Sequence, residues 1–141
     1  MGLDAVVYRN RKHLKLESDD GAARLVSETG EVYFEDDELS RKYRLQFRTA
    51  EHRLGNMAEI SALRDEVTRL IGPDSVILRK VLYSGTHSGD IIPVESVSTL
   101  IDELNSIHCA RQQSPELKRF VGSMKEIIQA AEDEGNPIVF V

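Results

Sequence analysis

At 141 residues the chain has the length of one domain, large enough to bury a core without metal or disulfide staples. Eighteen Lys and Arg against twenty-four Asp and Glu leave a net −6, with −1 in residues 1–55 and −5 in residues 56–141; this balance argues against nucleic acid, whose phosphates need a concentrated basic face, and suits a basic protein partner. No apolar run reaches the roughly 20 residues that cross a bilayer, and Val6 stands where a myristoylation signal needs Ser or Thr, so no membrane anchor is expected. Cys109 is the single cysteine and the chain opens without a basic-then-apolar leader, which points to a reducing cytoplasm.

Residues 3–8, Leu-Asp-Ala-Val-Val-Tyr, are β-branched and aromatic enough to predict a strand. Basic and acidic blocks then alternate through residues 9–23 without an apolar period, which reads as an exposed loop. Thr29-Gly30 marks a turn before a short second strand over 31–35, expected to pair with the first as an edge. The acidic block Glu35-Asp36-Asp37-Glu38 adjoins the basic Arg41-Lys42-Tyr43-Arg44, a self-compensating surface or else a docking patch, with Leu45 and Phe47 as the next apolar anchors.

From Asn56 the period becomes helical, with Met57, Ile60, Leu63, Val67, Leu70 and Ile71 on one stripe, a capping-box spacing to Glu59 and Gly72-Pro73 as the stop. The apolar run 76–83 predicts an inner strand through the middle of the sheet. Val97, Leu100, Ile101, Leu104 and Ile107 mark a second helix that begins between Pro93 and Ser98. Ser114-Pro115-Glu116 starts a third, with Leu117, Phe120, Val121, Met124, Ile127, Ile128 and Ala131 as its stripe and Gly135-Asn136-Pro137 as its end. Residues 138–141 then form a terminal strand, expected beside 76–83 or 3–8. The order β-β-α-β-α-α-β predicts a single α+β domain over residues 1–141, a mixed or antiparallel sheet of about four strands with three helices mainly on one face.

Polar chemistry concentrates in the loop 84–90, where two glycines separate Ser84, Thr86, His87, Ser88 and Asp90. A triad would take Ser84, Thr86 or Ser88 as nucleophile, His87 as base and Asp90 as its orienting group. Sequence neighbours diverge in space, however, and the Gly-x-Ser-x-Gly elbow is absent, so no catalytic residue is assigned. Gly85 and Gly89 would free backbone N–H groups for a phosphate, but the Gly-Lys-Ser/Thr ending of a P-loop is missing. The plainer reading is a strand exit, in which glycine supplies positive φ and the hydroxyls and carboxylate bond locally. His13, His52, His87 and His108 show no metal-ligand spacing, which leaves a zinc site only if the fold converges His52, His87 and Asp90; no metal and no cofactor are expected. Cys109, at the end of an apolar stripe, reads as a small packing residue.

Met1-Gly2-Leu3-Asp4-Ala5, the exit Tyr83-Ser84-Gly85-Thr86 and the close Asn136-Pro137-Ile138-Val139-Phe140-Val141 together resemble a loose group of small uncharacterised bacterial and phage proteins that begin Met-Gly-Leu-Asp. The resemblance implies a microbial origin and carries over no functional residue. The residues themselves predict a non-catalytic acidic protein-binding module of the cytoplasm, immunity- or antitoxin-like, that masks a basic protein surface. The alternative is a small enzyme, or a phosphate or metal-ligand binder, working through the loop at Ser84, Thr86, His87, Ser88 and Asp90.

Overall fold

Leu3, Ala5 and Val7 alternate with Val6 and Tyr8, so β1 (Gly2–Tyr8) is apolar on both faces and needs cover on each. The structure, a computed structural model, describes residues 2–17, 23–26, 28–84 and 87–141. In it β1 lies inside a four-stranded antiparallel sheet of order β4-β1-β6-β5, formed with β4 (Arg48–Asn56), β5 (Ile91–Ile92) and β6 (Ile138–Phe140). The C-terminal strand thus inserts beside 3–8, as one of the two expected placements has it. Leu3, Ala5, Val7, Leu54, Ile92, Ile138 and Phe140 share one core with helices α2 (Met57–Ile71), α4 (Val97–His108) and α5 (Pro115–Glu134). Val6, Tyr8 and Val139 form a smaller cluster of their own.

The three expected helices are all present and carry the expected stripes, with the capping box at Asn56 and Glu59 formed on both sides. Met57 departs from its stripe and is 65% exposed. Ser114 caps α5 through the Leu117 N–H at 3.0 Å, and Gly135 ends it in the left-handed region at φ 64°. Burying each large side chain of these stripes stabilises the fold by about 1.5–3 kcal/mol.

Two strand expectations are overturned. Residues 76–83 are not an inner strand: Val76–Lys80 form a short helix, α3, followed by buried Val81 and Leu82. The cause is tertiary. The Glu103 carboxylate on α4 accepts the Val76 and Ile77 N–H groups, each at 2.8 Å, and Ser75 accepts the Leu78 N–H at 3.3 Å, so the donors that a sheet would have used are taken by a helix cap. The second strand does not pair with the first either. Its core, β3 (Val32–Tyr33), pairs with β2 (Arg24–Leu25) in a separate two-stranded sheet. The true partner of β1 is the polar β4, whose Ala50, His52 and Leu54 turn inward more than Glu51 and Arg53.

The excursion between β1 and β4 has its own small core, in which Ala23, Val32, Phe34 and Tyr43 meet Leu14, Leu39 and Phe47, with the Phe34 and Tyr43 rings 5.4 Å apart. Leu45, expected as an anchor, is instead 90% exposed on a 3-10 turn. The acidic block opens α1 (Asp37–Tyr43), where Asp36 caps the Glu38 and Leu39 N–H groups and Asp37 and Glu38 sit in the first turn, favoured there by the helix dipole. The excursion is fastened to the end of α5. Glu134, buried at the helix C-terminus, accepts the Asn10 N–H at 2.7 Å and bonds His13 Nδ1 at 2.6 Å, while Asn10 Nδ2 donates to the Glu134 carbonyl at 2.8 Å.

Glu103→Ala strands two partly buried donors at the start of α3 and is expected to cost about 2–3 kcal/mol in urea unfolding, against a few tenths for the neighbouring exposed Asp102→Ala.

Candidate functional site

The 84–90 loop leaves Tyr83 and enters β5, and the side chains at its two ends hold each other. His87 is only 8% exposed; its ring lies 3.8 Å from the Tyr83 ring and 5.8 Å from Phe140. His87 Nε2 is 2.6 Å from the Tyr83 carbonyl, and because a carbonyl only accepts, that nitrogen carries the hydrogen. The Tyr83 hydroxyl donates to Asp90 Oδ2. Burial and this carboxylate push the Tyr83 phenol up from 10.0 to about 12, because ionising it would leave an anion facing an anion.

Backbone bonds complete the turn. Asp90 N–H donates to the His87 carbonyl at 2.9 Å, Gly89 N–H to the Phe140 carbonyl at 2.8 Å, and Phe140 N–H to the Asp90 carbonyl at 2.9 Å, so the loop delivers its end directly into the β5–β6 pairing. Gly89 sits at φ 89°, which is why glycine stands there.

Of the five residues named for a ligand, His87 and Asp90 are gathered with Tyr83, His87 through Nε2 on the Tyr83 carbonyl and Asp90 through Oδ2 on the Tyr83 hydroxyl. Ser84 and Ser88 are exposed. Thr86 lies outside the described residues. His52 does not join His87: it pairs with Glu126 of α5 at 2.9 Å, and among the described residues no three His, Cys, Asp or Glu side chains gather as a metal would require. Cys109, expected to pack, is exposed.

A second feature lies on the excursion. Residues 25–40 hold six Asp and Glu and no Lys or Arg, which equals the whole net charge of −6 and leaves eighteen of each sign elsewhere. Splitting the chain at residue 55 hid this, because the basic residues on either side of the segment cancel it; a narrower charge window finds it. Its acids are held in place on the hairpin and the first turn of α1, with Glu35 3.3 Å from Arg24. Beside them Leu25, Val26 and Tyr33 are exposed at 49, 37 and 43%. Val32 and Phe34 point into the small core, so alternation turns Tyr33 outward.

The hairpin turn is seated on the main body. Val26 N–H donates to the Glu31 carbonyl at 2.8 Å, and Gly30 (φ 77°) lies so close to Asn136 that a Cβ there would meet its side chain at 2.5 Å. Asn136 in turn donates to the Tyr8 carbonyl at 2.8 Å. Burial first, and then Glu31, raise the Tyr8 phenol above its usual range.

No family model matches the chain, and neither a curated protein nor a solved structure does, so geometry alone carries the functional argument.

Because folding raises the Tyr83 phenol from 10.0 to about 12, its contribution is fully present below pH 10 and is lost as pH climbs toward 12. Melting temperatures measured across that window are expected to fall more steeply for the parent than for Tyr83→Phe. Gly89→Ala meets no atom within 4 Å, so its cost, about 1 kcal/mol by thermal melt, is the backbone strain alone.

Proposed function

We propose that the protein is a non-catalytic binding module of the cytoplasm that masks a basic protein surface, in the manner of an immunity protein or antitoxin. Its docking face is the β2–β3 hairpin with the first turn of α1. The observation that carries this reading is the segment 25–40, with six acids, no Lys or Arg, and three large apolar side chains exposed among them. A partly exposed tyrosine ringed by charge is the composition of an interface anchor and its rim, and the acidic field speeds encounter with a cationic partner. The close approach of Gly30 to Asn136 places that face beside the end of α5.

The acids of residues 56–141 suit docking less well than their number suggests, since Glu59, Glu66, Glu103 and Glu134 accept backbone N–H groups. A ligand site at the 84–90 loop has less support for the same reason: the Tyr83 hydroxyl, His87 Nε2 and one Asp90 oxygen already have partners.

Cross-linking and affinity capture from the cells of origin test the proposal. The parent is expected to capture a basic protein, cross-linked through residues 24–38 and released near 1 M salt, where the Debye length falls to about 3 Å. The combined variant Glu28→Lys, Tyr33→Ala, Glu35→Lys is expected to weaken that capture at least about tenfold, while Glu132→Lys with Asp133→Lys on α5 leaves it unchanged. Capture that survives the hairpin variant, or cross-links that fall outside the excursion, would overturn it.

A further inference from the structure

A wide cleft lies away from both features, between α2, the turn that joins α4 to α5, and the first turn of α5, with a volume of about 1040 Å³. Arg69, Arg111 and Lys118 line it together with His108. Among the described residues these three cations have no carboxylate partner, although the chain carries six more acids than bases. Asp65 and Glu66 are the acids of the cleft, and Glu66 is already bonded to Ser114 through N–H at 2.7 Å and Oγ at 2.6 Å. The cleft therefore carries three cations against two carboxylates, a net +1 from these five side chains.

Its wall is fixed before any ligand arrives. Gln113 Nε2 donates to the His108 carbonyl at 2.9 Å and to the Ala110 carbonyl at 3.1 Å, which ties the turn to the end of α4, and the Glu66–Ser114 bonds tie its other end to α2. The bracing fixes the backbone that carries the exposed Arg69, Arg111 and Lys118, so only their side chains have to order on binding an anion.

We infer that this cleft binds a small hydrophilic molecule bearing two or more phosphate groups, such as a phosphorylated sugar or polyol. Guanidinium groups take phosphate oxygens in bidentate fashion and the ammonium adds a point charge, so three cations match more than one phosphate. The volume exceeds what a single oxyanion fills and falls in the range of small-molecule sites. Two alanines, Ala62 and Ala110, are the apolar lining, and no Phe, Tyr or Trp lines the cleft to stack a nucleobase. The inference is independent of the hairpin and stands or falls without it.

Cys109 supplies the readout, being exposed, the only cysteine of the chain, and flanked by the cleft residues His108 and Ala110. With a fluorescent label on Cys109, pyrophosphate and a hexose bisphosphate are expected to give a saturable signal, with ADP binding no tighter than pyrophosphate. Melting-temperature shifts of the unlabelled protein check that the label does not create the site. Arg69→Gln, Arg111→Gln and Lys118→Gln are each expected to raise the Kd about tenfold or more, because each removes a charge-assisted contact. Arg79→Gln with Lys80→Gln on α3 is expected to leave it unchanged. No saturation up to about 10 mM, equal weakening by the α3 control, or ADP binding far tighter than pyrophosphate would overturn the inference.

Discussion

Carboxylates that reach out of one helix to hold the backbone N–H groups of another segment set the arrangement of this fold. Glu66 on α2 holds Ser114 at the head of α5, Glu103 on α4 holds the head of α3, and Glu134 at the foot of α5 holds Asn10. Each helix start leaves donors without intrahelical partners, and partial burial makes leaving them unsatisfied costly. A charged acceptor from a neighbouring helix satisfies them and at the same time fixes where that neighbour lies. Glu134 sits where the helix dipole disfavours an acid; the Asn10 N–H and His13 offset that.

This use of acid changes what the charge balance means. The surplus in residues 56–141 looks like a docking surface when counted, yet part of it is internal scaffolding. The segment 25–40 is different, because its acids lie on a layer with its own small aromatic core. That layer is joined to the main body where Asn10 meets Glu134 of α5, where Gly30 approaches Asn136, and where Arg9, just past β1, donates its N–H to the Phe47 carbonyl at 2.8 Å. A face built on such an excursion can change its surface residues without disturbing the main core.

Local signals were legible and tertiary ones were not. The helix at Met57–Ile71 and the one at Pro115–Glu134 announce themselves through caps and stripes that lie within the segments themselves. Val76–Lys80 misleads because an apolar run fits a buried strand or a buried helix equally well, and the acceptor that decides between them, Glu103, lies 26 residues further on. Arg48–Asn56 was missed for the opposite reason: an edge strand with charges on its outer positions has little hydrophobic signature, and only its register with β1 makes it a strand. In the 84–90 loop the polar residues were visible, but the partner that absorbs His87 and Asp90, the side chain and carbonyl of Tyr83, belongs to the residue just before the loop.

Native-state amide hydrogen exchange tests the central claim most directly. If cross-element carboxylates hold the fold together, the amides of Asn10, Val76, Ile77 and Ser114 exchange at least about a hundredfold more slowly than in an unstructured peptide, and Glu66→Ala exposes Ser114 selectively. Exchange of these four amides at the unprotected rate, while the interior of α5 stays protected, would contradict it.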